Sequence, residues 1–253
     1  MYFPSVFMNL MLLLCFVLPN TASHANEVDL KVSQAVIEHE EAVWRTFNLG
    51  VVEHYIIPAY ADLASKSRYL HETTQTLCQS LTPATLATTK TAFNQSLDAW
   101  QIIQNISFGP VEIGMRYHSI QFWPDKKNHT GKQLTKLIEN KNASNLTKDG
   151  FEKVSVSIKG FPAIERLLYS EKPLETLTVK SYSCDVLQSI ARYLEVTSLS
   201  LHHEWVTTML PQFKDAKQLD GYFEDDIDAA TALLKTLVEP IEIIRDLKLK
   251  RPL

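Results

Sequence analysis

The sequence predicts an all-α protein, and three observations carry the prediction. Glycine is scarce, at 7 of 253 residues; alternating β-branched runs are few; and long segments repeat apolar residues at the three-to-four spacing of amphipathic helices. The chain opens on a different kind of segment. Met1 to Leu18 holds no charged side chain and is rich in Val, Phe, Met and Leu, and the polar Pro19-Asn20-Thr21 leads to small residues around Ser23-His24-Ala25. That is the pattern of an export signal cleaved after Ala25, leaving residues 26–253 as one helical domain. No Lys or Arg precedes the apolar run. An uncleaved anchor is the alternative, but the run is short for a span of about 20 residues. A lipid-modified Cys15 is disfavoured because Leu12-Leu13-Leu14 precedes it.

Asp29 to Leu49 is charged and helical in period. It runs toward Pro58, which lacks an N–H and is expected to kink or restart the helix before a further one over Asp62 to Thr76. Thr82-Pro83 is the clearest start signal, an N-cap residue followed by Pro at the first helical position. Leu86, Phe93, Leu97 and Trp100 then share a face. From about Ser183, the expected cap, Leu187, Ile190, Leu194, Leu201 and Trp205 form a stripe that must be buried against other helices. Asp225 to Leu249 carries Ile227, Leu233, Leu234, Leu237, Ile241 and Ile244 at matching intervals, with a bend expected at Pro240. Such helices point to antiparallel bundle packing. Two stretches interrupt the pattern. Asn105 to Asp125 contains Ser107-Phe108-Gly109-Pro110 and Phe122-Trp123-Pro124-Asp125, and Lys159-Gly160-Phe161-Pro162 stands before an apolar helix from Ala163 to Tyr169. Irregular segments between rigid helices are where binding groups are displayed.

Acidic residues outnumber basic ones, 29 to 25, and no Lys/Arg-rich run occurs, so nucleic acid is excluded as a partner. Beyond the N-terminal segment no apolar run is long enough to cross a bilayer. Without the signal peptide two cysteines remain, Cys78 and Cys184, and in an oxidising compartment they are expected to pair; two buried free thiols are the alternative. There is no Cys-x-x-Cys and no His/Cys cluster of the structural zinc type. Asn94, Asn105, Asn128, Asn142 and Asn145 match the glycosylation acceptor pattern, which is short, and are read as ordinary surface asparagines.

Gly160-Phe161-Pro162-Ala163-Ile164-Glu165 has a physical logic: Gly permits an unusual backbone angle, Pro opens a helix, and Glu165 falls within its first turn. These residues resemble the imelysin-like proteins, whose hallmark is Gly-x-His-x-x-Glu at the start of a helix. Pro162 occupies the His position. A periplasmic branch of the family with Gly-x-Pro-x-x-Glu and a following Leu-Leu-aromatic segment is similar to Glu165-Arg166-Leu167-Leu168-Tyr169. Trp100, Phe108-Gly109-Pro110, Arg116 and Phe122-Trp123-Pro124-Asp125 resemble the same branch's central block, and Cys78, Cys184 and Trp205 fall where it carries such residues. The resemblance covers most of the chain after the signal. It implies two packed helical lobes with a site between them near the motif, a periplasmic location, and a role in bacterial iron uptake beside other components of the cell envelope. Longer relatives continue where this sequence stops at Lys250-Arg251-Pro252-Leu253, so the second lobe is expected to be incomplete, with apolar helix faces uncovered.

The family's founding members were classed as metallopeptidases. Zinc hydrolysis needs three ligands, an open coordination position and a general base. No His-Glu-x-x-His is present, and Pro162 removes the motif's nitrogen donor, so no residue is assigned a catalytic role. The binding candidates are Glu165, Arg116 and Asp125, with Trp123 and Phe108 as pocket walls. Glu165 and Asp125 are the oxygen donors that iron or another divalent cation would prefer. The alternative is a buried ion-pair network that orients helices, with Arg116 bridging the acids. His39 among Glu38, Glu40 and Glu41, and His202-His203-Glu204, splay around their helices and read as solvated faces; His54, in the bend before Pro58, is a slightly better ligand candidate than these, though it ranks below the carboxylates. The expected function is that of an exported, non-enzymatic metal- or ligand-binding accessory in iron uptake. An imelysin-type metallopeptidase and a structural, partner-binding envelope protein are the alternatives.

Overall fold

The computed structural model describes residues 21–178 and 180–250. Cys15 and most of the expected signal peptide, and Arg251, Pro252 and Leu253 at the other end, lie outside the described residues. The α-helices are α1 (Thr21–Val51), α2 (Ile57–Gln79), α3 (Pro83–Ile103), α4 (Arg116–Ile120), α5 (His129–Asn140), α6 (Lys148–Glu152), α7 (Phe161–Leu168), α8 (Pro173–Thr176), α9 (Tyr182–Glu204), α10 (Leu210–Lys214) and α11 (Asp226–Ile243). Short 3-10 and π-helical turns are the other regular elements of the described residues. None of the helices is long and apolar enough to cross a membrane.

The residues fall into two units divided after Ala42. In the first, part of α1, Leu30, Val32, Val36 and Ile37 are exposed, and Gln34 donates to Glu38 one turn on. The second unit, from Val43 onward, holds the core. There α2 packs against both α3 and α9. Only Ser80, Leu81 and Thr82 separate α2 from α3, which makes them antiparallel neighbours. α9 also runs against α2, since Tyr60, Ser67 and Cys78 meet Trp205, Ser198 and Cys184 in reverse order. Where the three helices converge, the buried Ser67 hydroxyl lies 3.1 Å from that of Ser96 and 3.2 Å from that of Ser198. These small side chains let the helices approach while pairing each polar atom.

Thr82 caps α3 as expected, accepting from the Thr85 N–H, with Pro83 at the first position. The expected disulfide between Cys78 and Cys184 is formed, with the Cα atoms 5.7 Å apart. Two sequence expectations are modified. Of the kink or restart expected at Pro58, the form taken is a local one: the π-helical turn Val52–Ile56 carries α1 into α2 without a break. Proline cannot donate an N–H and crowds the carbonyl four residues before it, and a wider π turn just upstream relieves both problems. Pro211 sits in the same place after a second π turn, Trp205–Met209, between α9 and α10. The cap of α9 is Ser181, which accepts from the Cys184 N–H, and Ser183 lies inside the first turn. The last helix, α11, buries Ala229, Ala230, Leu233 and Thr236, while Ile227, Leu234, Leu237, Ile241 and, just beyond it, Ile244 are exposed. The wholly buried Asp226 fixes this rotation. Its carboxylate accepts from Arg45 at 2.8 Å and its carbonyl from the Asn48 amide at 2.8 Å, so the first turn of α11 is clamped to the end of α1.

Candidate functional site

The Gly-x-Pro-x-x-Glu segment forms the start of α7, but its glycine acts differently from the expectation. Gly160 has φ −127° and ψ −161°, an extended backbone that any residue adopts. What only glycine allows is close approach: a Cβ there would overlap the carbonyl oxygens of Ser119 and Ile120 at the end of α4. The glycine therefore lets α7 start directly against α4. Pro162 follows in the first turn, where its missing N–H costs no intrahelical bond. Phe161, Ile164, Leu167 and Leu168 are buried, and the opposite face is left to Pro162, Glu165, Arg166 and Tyr169 at the i, i+3, i+4, i+7 spacing.

That face forms one wall of an open cleft of about 450 Å³, whose other wall comes from Gln121, Phe122, Trp123, Asp125 and Thr130. Three of the five predicted site residues, Glu165, Asp125 and Trp123, are thus brought together. Glu165 is exposed and makes no ion pair among the described residues. Asp125 is the N-terminal anchor of α5, with its two oxygens accepting from the backbone N–H groups of His129 at 2.6 Å and Thr130 at 2.9 Å. Slight desolvation raises its pKa, but the hydrogen bonds from Thr130 and His129 outweigh that and hold it below the ordinary carboxyl value. Arg166 donates to the Asn128 amide oxygen at 2.6 Å, and Tyr169 donates to Asn94 at 3.1 Å with Lys90 4.5 Å above its ring. Gln121, which the sequence reading passed over, accepts from the Trp100 indole at 2.7 Å. Its neighbours in the central block were its signal.

The other two predicted residues are elsewhere, and Arg116 does not bridge the acids as the alternative reading had it. Arg116 donates to Glu204 at 2.7 Å and to the Pro110 carbonyl at 3.1 Å. Phe108 packs edge-on against Trp205, beside Tyr222 and Phe223. The physical reason is the left-handed pair Gly114 and Met115, with φ of 63° and 60°, which turns the chain between Phe108 and α4 and aims Arg116 at the end of α9. Both partners of the Arg116–Glu204 pair keep about a quarter of their side-chain exposure, at 22% and 25%. Arg116→Met is expected to cost about 2 kcal/mol in urea unfolding, below the range of fully buried pairs, because Glu204 and the Pro110 carbonyl lose their donor. Adding Glu204→Met should recover part of the loss, and a strictly additive double variant would show that the pair contributes nothing.

The donor set bears on metals. Among the described residues no three His, Cys, Asp or Glu side chains are grouped as a metal site would require. Both Asp125 oxygens already serve α5, so the cleft offers one uncommitted carboxylate. These residues do not fit a chelated iron or zinc ion.

The family model for imelysin matches residues 56–253. The chain is 26% identical over 121 residues to a protein named Iron-regulated protein A from Synechococcus elongatus, a match that covers 48% of this chain and 30% of that protein. The crystal structure of an imelysin-like protein from Psychrobacter arcticum 273-4 has the same fold, with a TM-score of 0.69 at 19% identity, covering 84% of this chain and 64% of the other. This chain spans less than two thirds of either relative's length.

Proposed function

The chain belongs to the imelysin family, and from that premise we propose that it is an exported, non-enzymatic binding accessory in bacterial iron acquisition, with the cleft beside Glu165 as its ligand site. The observation that carries this reading is the unpaired Glu165 carboxylate facing Trp123 across a cleft of about 450 Å³. A carboxylate against aromatic walls suits a compact ligand that presents a positive or hydrogen-bond-donating group beside a flat apolar body. Iron would enter as a complex whose own donors satisfy the metal, since the protein supplies too few. The name of the Synechococcus relative is what supports the iron context, and the Cys78–Cys184 bond suits an oxidising compartment. The metallopeptidase alternative finds no support in the donor set around Glu165.

Calorimetry with ferrioxamine B, a ferric complex that carries a pendant ammonium group on an aliphatic chain, and with ferrous, ferric and zinc ions tests the proposal. Saturable binding of the ferric complex is expected to weaken about tenfold or more in Glu165→Ala, the loss of one charge-assisted hydrogen bond, with the helical circular dichroism unchanged. Failure of the well-folded protein to bind any of these, or equal binding by Glu165→Ala, would overturn the assignment. Cleavage of an unstructured protein that a chelator and Glu165→Ala both abolish would revive the peptidase.

A further inference from the structure

A second cleft, of about 460 Å³, lies between α2, α9 and the segment around residues 143–147. It shares no lining residue with the first. Its volume is in the range of about 300–1,000 Å³ typical of small-molecule sites. Its walls are held in place by the protein itself. Cys78–Cys184 ties the end of α2 to the start of α9. His71 is locked to Glu195 at 2.7 Å. Tyr182 donates to the Asn142 carbonyl at 2.8 Å, and the Asn142 side chain in turn accepts from the Ser144 N–H and hydroxyl.

Within this rigid frame the charged side chains of α9 that face the cleft are of both signs and uncommitted, while the Gln75 amide lies 3.2 Å from the His71 ring nitrogen. Asp185 and Arg192 are exposed, line the cleft and make no ion pair among the described residues. The Gln188 amide and the hydroxyl of the otherwise buried Ser189 lie between them along α9, and Gln75 faces them from α2. A carboxylate in the first turn of α9 is favoured by the helix dipole, but that does not account for an unpaired guanidinium two turns later.

We propose that this cleft binds a zwitterion between an amino acid and a tripeptide in size, with its amine on Asp185 and its carboxylate on Arg192. The spacing bounds the size. Seven residues of helix separate the two Cα atoms by about 10 Å along the axis, and the long Arg side chain, which leans toward the helix N-terminus, shortens the gap between charges to about 6–10 Å. With a contact of about 2.8 Å at each end, this gap admits a single amino acid and, lying alongside it, two or three extended residues at about 3.3–3.6 Å each. The amides of Gln75 and Gln188 then meet the ligand's peptide groups, and Leu146 covers it.

Trialanine is the probe, titrated by calorimetry into the full-length protein alongside its N-acetylated and C-amidated forms. Saturable binding is expected, weakened about tenfold or more by either block and by Asp185→Asn or Arg192→Gln, each of which removes one charge-assisted contact. Both side chains are exposed, so the variants keep the parent circular dichroism. Glu165→Ala binds trialanine as the parent does, which separates this site from the one proposed above. No binding, equal binding of a blocked peptide, or insensitivity to both substitutions would overturn the proposal.

Discussion

Replacing Cys78 and Cys184 together with alanine is expected to lower the unfolding free energy by about 4–5 kcal/mol in the chain-entropy description, because the bond spans 106 residues of chain. For a chain of this size that corresponds to a melting temperature lower by about 10–20 °C. Alanine rather than serine is the right replacement, since both sulfurs are buried, at 5% and 0% exposure, and an unpartnered hydroxyl there would add its own cost. The effect is exerted on the unfolded state, whose ends the bond keeps together, so the denaturant slope should rise as the unbridged chain expands. Urea unfolding of the double variant beside the oxidised parent measures both quantities. A loss below about 1 kcal/mol with an unchanged slope would mean that the bond joins segments already held together in the unfolded chain.

The features legible in the sequence share one property: each depends on neighbours in the chain or on pattern. The start of α3 at Thr82-Pro83 is a local capping arrangement, and it formed where expected. The stripe from Leu187 to Trp205 predicted a buried face, and it is buried. The pairing of Cys78 with Cys184 followed from there being two cysteines outside the expected signal segment. What was not legible depended on partners far away in sequence. Arg116 was expected beside Glu165 and Asp125, but Glu204, read as part of a solvated His202-His203-Glu204 face, lies 88 residues on and takes it. The apolar spacing of α11 did not say which face is buried, and the clamp from Arg45 and Asn48 onto Asp226, 181 and 178 residues apart, selects the face with Ala229 and Ala230. At Pro58 a kink or restart was legible but its form was not, because the period of the pattern does not reveal a π turn, which adds one residue and moves every later side chain around the helix. The candidate cleft stands between these cases. Glu165 and Asp125 were found by motif, while Gln121, Arg166 and Tyr169 acquired their places through contacts with Trp100, Asn128 and Asn94.

Gly160→Ala is expected to destabilise the protein by about 3 kcal/mol or more, at the upper end for overpacked sites, because the added methyl overlaps the backbone carbonyls of Ser119 and Ile120 and not the tip of a flexible side chain. Backbone yields only by moving a helix. Either α7 lifts away from the core or the end of α4 shifts, and both movements disturb the cleft. Gln121 immediately follows α4 and Glu165 rides on α7, so the two walls separate. Ligand affinity in the Glu165 cleft should therefore fall together with stability, even though residue 160 does not line the cleft. Gly50→Ala is the matched control. It lies in α1 with open space where its Cβ would fall, so the same substitution there should be neutral or raise stability by up to about 1 kcal/mol. Urea unfolding and ligand titration of the two variants side by side decide the matter. If the glycine of the motif served an unusual backbone angle, a nearly neutral Gly160→Ala would be ruled out just as well. The two explanations part at Gly160→Ser and Gly160→Asn. Asparagine tolerates left-handed backbone better than serine and would do the less harm if conformation were at issue. Under the steric account asparagine does more harm than serine, because it brings more atoms to the same carbonyls.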